Sequence, residues 1–267
     1  MASTLFDLSG RVATVSGAAR GMGRAMALAL AEHGADLLLV DRNAEGLAQT
    51  AGEIANLGRR AVTVVCDVAD PEAVGGLFAR LDQEFGRIDF LANVAGEGIL
   101  ASPEEITIEQ LRRVIENLVI GRFAMCQQAG RRMLRAGRGS IVNIGSLAST
   151  TALGRGHIAY SMAMGAVVQM TRELSTEWAS SGVRVNAILP AQVMNPSLAE
   201  RMTVNPAMKD VWLRGIPAGR FGQPDDIQGL AVLLASDASS WITGALIPMD
   251  GGNLAMNGGA SLRDKPQ

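Results

Sequence analysis

The chain has 267 residues, 48% of them hydrophobic, and a nearly balanced charge of -2 from 24 basic and 26 acidic groups. That is enough apolar length for one large α/β domain, and too little net charge for a nucleic-acid or anionic-membrane binder. No apolar run reaches the length of a membrane span and the start, MASTLFDLSGR, has no signal-type hydrophobic segment, so a cytoplasmic protein is expected. Two cysteines, Cys66 and Cys126, and two histidines, His33 and His157, lack metal-ligand spacing. No metal is expected, and the cysteines read as small buried side chains without a disulfide.

Taken in chain order, short apolar runs alternate with longer amphipathic stretches. Strands are predicted over 11–16, 36–40, 61–65, 88–92, 140–144, 183–189 and 245–248. They show little alternation, as strands covered on both faces would. Helices are predicted over 22–33, 44–57, 72–85, 108–134, 159–180 and 224–235. Gly34 stands where a left-handed cap would close the first helix, and Asp70-Pro71 opens the third. This alternation builds βαβ units, and so a Rossmann-like, doubly wound parallel sheet of about seven strands with helices on both faces. No composition break divides residues 1–252, which read as one domain, with 253–267 a Gly- and Asn-rich tail that frays or packs on a partner subunit.

The first strand runs into Ser16-Gly17-Ala18-Ala19-Arg20-Gly21-Met22-Gly23 and then a helix. Glycines there allow a tight turn and close approach of backbone N–H groups to a pyrophosphate. A plain strand–helix turn is the competing account, made weaker by the motif's place after the first strand of a βαβ unit. Asp41 ends the second strand, where an acid accepts hydrogen bonds from the adenosine ribose and repels a 2′-phosphate. This favours NAD over NADP, although the guanidinium of Arg20 or Arg42 could bind that phosphate instead.

With Ser146 and Tyr160 added, the chain resembles the short-chain dehydrogenase/reductase family over nearly its whole length. Gly17, Gly21 and Gly23 match the family's glycine loop, Asp67-Val68 its adenine-holding pair, and Asn93-Val94-Ala95-Gly96 its Asn-Asn-Ala-Gly. Asn117 matches the asparagine that supports a proton-relay water, Ser146 the catalytic serine and Tyr160 the catalytic tyrosine. Arg184-Val185-Asn186 and Asp250-Gly251-Gly252 match late structural motifs. The resemblance implies an NAD(P)-dependent oxidoreductase that interconverts a secondary alcohol and a ketone, working as a homo-oligomer, with a tetramer expected. Pro190, Val193 and Asn195 would lie at the nicotinamide, Ala191 replacing the family's glycine and Asn195 its threonine.

One departure stands at the centre. The family's lysine, four residues after the tyrosine, is here Met164, and only two of the basic residues, Lys209 and Lys265, are lysines at all. Residues four apart share a helix face, so Met164 neighbours Tyr160 and offers it no ammonium. Turnover is therefore expected to be impaired. A dinucleotide-binding protein without redox activity is the alternative, and an engineered lysine-to-methionine replacement a third reading. Arg155 or His157 could stand in for the cation from the preceding loop. On the substrate side, residues 194–221 resemble the family's lid, and His157, Met194 and Trp212 are candidate contacts.

Overall fold

The structure is a computed structural model, and it describes residues 4–205 and 207–256. The part of the predicted tail from 257 onward lies outside the described residues, as does Lys265.

Seven parallel strands form one sheet: β1 (Val12–Ser16), β2 (Asp36–Asp41), β3 (Ala61–Val65), β4 (Phe90–Asn93), β5 (Gly139–Ile144), β6 (Val183–Pro190) and β7 (Leu246–Met249). Their order across the sheet is β3-β2-β1-β4-β5-β6-β7. The chain moves outward from β1 to β3, then returns to lay β4 on the other side of β1. At such a reversal the loops leaving the two central strands diverge and open a crevice at their carboxyl ends.

Nine helices accompany the sheet among the described residues: α1 (Gly21–Glu32), α2 (Ala44–Asn56), α3 (Pro71–Glu84), α4 (Ile108–Ile115), α5 (Gly121–Ala136), α6 (Ile158–Trp178), α7 (Pro196–Val204), α8 (Ala207–Leu213) and α9 (Gln228–Ala235). One face of the sheet packs on α1, α2 and α9, burying Met26, Leu30, Leu47, Ile54 and Leu234. The other packs on α3 and α5 through Phe78, Leu81, Met125 and Met133, with Met170 and Trp178 of α6 joining them. Start signals act as read: the Asp70 carboxylate accepts from the N–H groups of Glu72 and Ala73 at 2.9 and 3.3 Å, with Pro71 in the first turn.

Three expectations need correction. The predicted 108–134 helix is broken by a π-helical turn, Glu116–Ile120, between α4 and α5. The predicted 224–235 helix opens as a 3-10 turn, Pro224–Ile227, before α9. Nor are all strands covered on both faces, because β3 is an edge strand that leaves Val65 60% exposed. Cys66 and Cys126 are free and buried, as the sequence suggests.

A chain of buried amides fixes the strands and helix that carry the site. Asn93 on β4 donates to the Asn143 side chain on β5 at 2.9 Å, and Asn143 donates to the Thr171 hydroxyl on α6 at 3.0 Å. Thr171 in turn donates to the Val167 carbonyl at 2.9 Å. Hydrogen bonds linked in series between these buried polar groups hold one arrangement of the elements.

Candidate active site

The residues singled out from the sequence converge on the carboxyl edge of the sheet. The glycine loop follows β1, Asp41 ends β2, and Asp67 and Val68 follow β3. Ala95 and Gly96 follow β4, Ser146 follows β5, and Pro190, Val193 and Asn195 lie at the end of β6 or just beyond it. Met194 leaves the same strand but is tied by its N–H to the Gly222 carbonyl at 2.8 Å, and it does not line the cavity described below.

The nucleotide side is a cradle of backbone. Gly17 has φ of +71° and Gly21 has φ of +57°, left-handed values that side chains other than glycine resist. A Cβ on Gly23 would fall on the carbonyl oxygen of Gly17, so loop and helix touch with no room between them. Arg20 occupies the N-cap of α1 in extended conformation and its side chain makes no capping bond. The first-turn N–H groups of Gly21, Met22 and Gly23 thus meet no side-chain acceptor, the arrangement that suits an anion. Beside it the Asp41 carboxylate is fixed by the N–H groups of Ala19 at 3.2 Å and Asn43 at 3.0 Å. Arg42 leans towards Asp67 and Glu97, at 3.7 and 3.6 Å. Ser16 braces the far wall, its hydroxyl accepting from Val94 and Ala95 N–H groups at 3.0 and 3.2 Å. Asn93 is wholly buried, and its amide oxygen has no partner. These residues fit a dinucleotide: an anion cradle of backbone N–H groups beside a fixed acid at the end of the next strand.

On the far side of the crevice, Ser146 and Tyr160 line one cavity of about 340 Å³, together with His157, Asn195, Arg201 and Trp212. Ser146 is 7% exposed. Its hydroxyl oxygen accepts from the Ala148 N–H at 3.2 Å, which leaves the O–H to donate into the cavity. Tyr160 stands in the first turn of α6, its ring passing so close to Gly98 that a Cβ there would meet it at 2.7 Å. Asn195 does double duty, capping α7 by accepting from the Leu198 N–H at 3.0 Å while facing the cavity.

The candidates for a replacement cation are engaged with other groups. Arg155 adopts φ of +56° and lies over the Trp212 ring at 4.9 Å, with Arg201 against the same ring at 5.3 Å. His157 meets the Tyr160 ring edge-on at 6.2 Å and its Nδ1 bonds the Gly154 carbonyl at 2.8 Å. Burial first, then the charge of Arg155, pushes its pKa below the ordinary value, so the imidazole is neutral at pH 7.

Met164 is 1% exposed and shares a buried apolar cluster with Val114, Leu118 and Val167. Asn117 sits in the π-helical turn, and its amide oxygen accepts from the Glu97 N–H at 2.9 Å. The neighbouring residue on that turn, Leu118, is the one that joins Met164. Sequence reading also passed over Arg122, Arg201 and Leu153. The one available signal was Arg122 itself, an arginine wedged between Gly121 and Phe123 in an otherwise apolar stretch. Among the described residues no cluster of histidine, cysteine and carboxylate side chains could hold a metal, and no helix is long and apolar enough to cross a membrane.

A family model described as enoyl-(acyl carrier protein) reductase matches residues 17–253. D-threitol dehydrogenase of Mycolicibacterium smegmatis is 42% identical over 247 residues, covering 92% of this chain and 94% of that one. Gluconate 5-dehydrogenase of Gluconobacter oxydans is 37% identical, with 93% and 96% covered. Among solved structures, an NAD+-bound xylitol dehydrogenase superposes with a TM-score of 0.87 at 31% identity, over 92% of this chain and 99% of that one. A match of this extent, at these identities, settles the family: the chain belongs to the short-chain dehydrogenase/reductase family.

Proposed function

We propose that the protein oxidises a secondary hydroxyl of a small polyhydroxylated compound to a ketone with NAD, and catalyses the reverse reduction. The observation that carries this reading is the shared cavity of Ser146 and Tyr160 at the same carboxyl edge of the sheet as the glycine loop. The Ser146 hydroxyl would donate to the substrate oxygen and hold it in place, while the Tyr160 phenolate takes the alcohol proton. When bound, the nicotinamide would accept hydride from the carbinol carbon. Relatives named for threitol, gluconate and xylitol agree with a polyhydroxylated substrate. The alternative is a protein that holds the dinucleotide without turning it over.

The coenzyme is read as NAD because the Asp41 carboxylate, held at the end of β2 by the Ala19 and Asn43 N–H groups, would repel a 2′-phosphate bound beside it. Calorimetric titration should give NADH the higher affinity. Asp41→Ala should narrow or reverse the gap, shifting the NADPH-to-NADH affinity ratio by about tenfold, the equivalent of about 1.4 kcal/mol. Tighter NADPH binding by the parent would mean that Arg20 or Arg42 prevails.

A second reading concerns charge on the substrate. Arg155 and Arg201 flank Trp212 at the cavity, and neither pairs with a carboxylate among the described residues. Two unpaired guanidinium groups beside one cavity favour a polyhydroxy acid over a neutral polyol. We also read the chain as a homo-oligomer, a tetramer by family likeness. Exposed Ile108, Ile120, Phe123 and Met162 on the α4–α6 region are apolar surface that self-association would cover. A monomer in light scattering at micromolar concentration would contradict it.

A further inference from the structure

The loop that enters α6 carries three successive left-handed residues: Gly154 (φ +64°), Arg155 (φ +56°) and Gly156 (φ +74°). Arg155 is the one non-glycine residue with positive φ among the described residues, and such a backbone persists only where its surroundings impose it. Here Gly156 is pressed on Ala101. The Ala101 N–H donates to the Gly156 carbonyl at 3.0 Å, and a Cβ on Gly156 would meet that same backbone at 3.0 Å. The run delivers His157 to the N-cap of α6 with its backbone fully engaged. Its N–H donates to the Gly154 carbonyl at 3.3 Å and its carbonyl accepts from the Ser161 N–H at 2.7 Å.

The ring is fixed as firmly. Its Nδ1 bonds the Gly154 carbonyl at 2.8 Å, and a carbonyl only accepts, so Nδ1 carries the hydrogen. In the neutral imidazole this leaves Nε2 with a bare lone pair. No side chain among the described residues hydrogen-bonds the ring. Three positions along the same helix face, the Tyr160 ring meets it edge-on with 6.2 Å between centres, and both rings line the cavity that also holds Ser146.

We propose that His157 reads a hydroxyl on the carbon next to the one oxidised, its Nε2 accepting that hydroxyl's hydrogen, so that the site selects vicinal diols over simple secondary alcohols. The assignment rests on the oxidation read above and names its substrate class more closely. With the carbinol oxygen on Ser146 and Tyr160, the neighbouring carbon lies among the groups that flank the phenol, and His157 is the ring in contact with it. A polyhydroxylated substrate brings many donors into a cavity where Ser146, Arg155 and Arg201 also donate. Asn195 is already spent, donating to the Val193 carbonyl at 3.0 Å and accepting from the Leu198 N–H at 3.0 Å. The amide oxygen of Gln192 is buried without a partner. His157 thus offers a fixed acceptor beside the reacting phenol. It sets specificity and moves no proton.

Butane-2,3-diol and butan-2-ol differ by this one hydroxyl, and the ratio of their kcat/KM values with NAD measures its recognition. The parent should favour the diol. His157→Asn keeps an amide short enough to bond Gly154 and leaves nothing at the Nε2 position. It should lower kcat/KM for the diol about fivefold to tenfold and leave butan-2-ol unchanged. His157→Gln, whose longer amide carries an oxygen towards that position, should recover part of the loss. If the Asn variant keeps the parent's ratio, the ring is only a brace for the loop and the proposal falls. Nitrogen NMR of the imidazoles needs neither turnover nor a change at 157. The chain has two histidines, so His33→Gln identifies the His157 signals. With NADH bound, butane-2,3-diol should move the Nε2 resonance upfield and butan-2-ol should not. A diol that leaves Nε2 in place overturns the proposal. A parent that turns over neither alcohol would sink the oxidoreductase reading, and the resonance would still judge His157.

Discussion

Tyr160→Phe is expected to lower NAD-linked oxidation by about 10²–10⁴-fold, the usual contribution of a positioned proton-transfer group. NADH affinity should stay within about threefold, since the nucleotide cradle is built from the β1–α1 loop and Asp41. Thermal stability should hardly change. No protein group hydrogen-bonds the phenol hydroxyl among the described residues, so its deletion breaks no bond, and the ring keeps its packing against Gly98 and the α4–α6 cluster. This separates chemistry from structure: a variant that binds coenzyme and melts like the parent but does not turn over has lost the proton carrier. Intact turnover in the same variant would hand the role to another group, or the protein to the binding-only reading.

Gly23→Ala is expected to have the second largest effect, and on binding. The added methyl would overlap the Gly17 carbonyl oxygen and carbonyl carbon, both backbone atoms that cannot swing aside. Gly17 is itself packed against Ala95, where a Cβ would meet the backbone nitrogen at 3.0 Å. The loop must therefore move away from the α1 N-terminus. Overpacking of this kind costs about 1–3 kcal/mol. Moving the cradle by a fraction of an ångström should weaken NADH binding by about 10²-fold, or about 2.7 kcal/mol. Isothermal titration and a thermal melt would read the two effects, and unchanged NADH affinity would show that the dinucleotide lies elsewhere.

The parts of the fold legible in the sequence are those whose signal is local. The glycine loop, the Asp70-Pro71 start of α3 and the apolar runs of β1, β2, β4, β5 and β6 carry their own reasons for being there. Topology then brought Gly17, Asp41, Ser146 and Tyr160 to one edge, because parallel strands deliver every following loop to the same side. The π-helical turn was hidden for an equally physical reason. It shifts the helical phase at one point only, too local a change for the apolar spacing of 108–134 to reveal, so the segment reads as a continuous helix. That single insertion decides which side chains of the segment reach the site: Leu118 joins Met164, while Asn117 turns to Glu97. Arg122 was passed over, despite its apolar neighbours, because a charged residue in an amphipathic helix reads as solvated, and only the ends of β4 and β5 arriving over it make it buried. The exposure of β3 followed from its place at the sheet edge, which its own sequence does not encode.

The central claim is that Ser146 and Tyr160 serve an NAD-linked oxidation of a polyhydroxylated alcohol. It is tested most directly by following NADH formation from NAD with the unaltered protein and a short panel, D-threitol, xylitol and gluconate, across neutral to alkaline pH. Steady NADH formation with at least one member is predicted, faster at higher pH as proton release is favoured. With the cavity's two unpaired arginines, gluconate should show the lower KM. Tight NADH binding with no turnover of any member, at any pH where the protein stays folded, would contradict the account and leave a protein that holds the dinucleotide without using it.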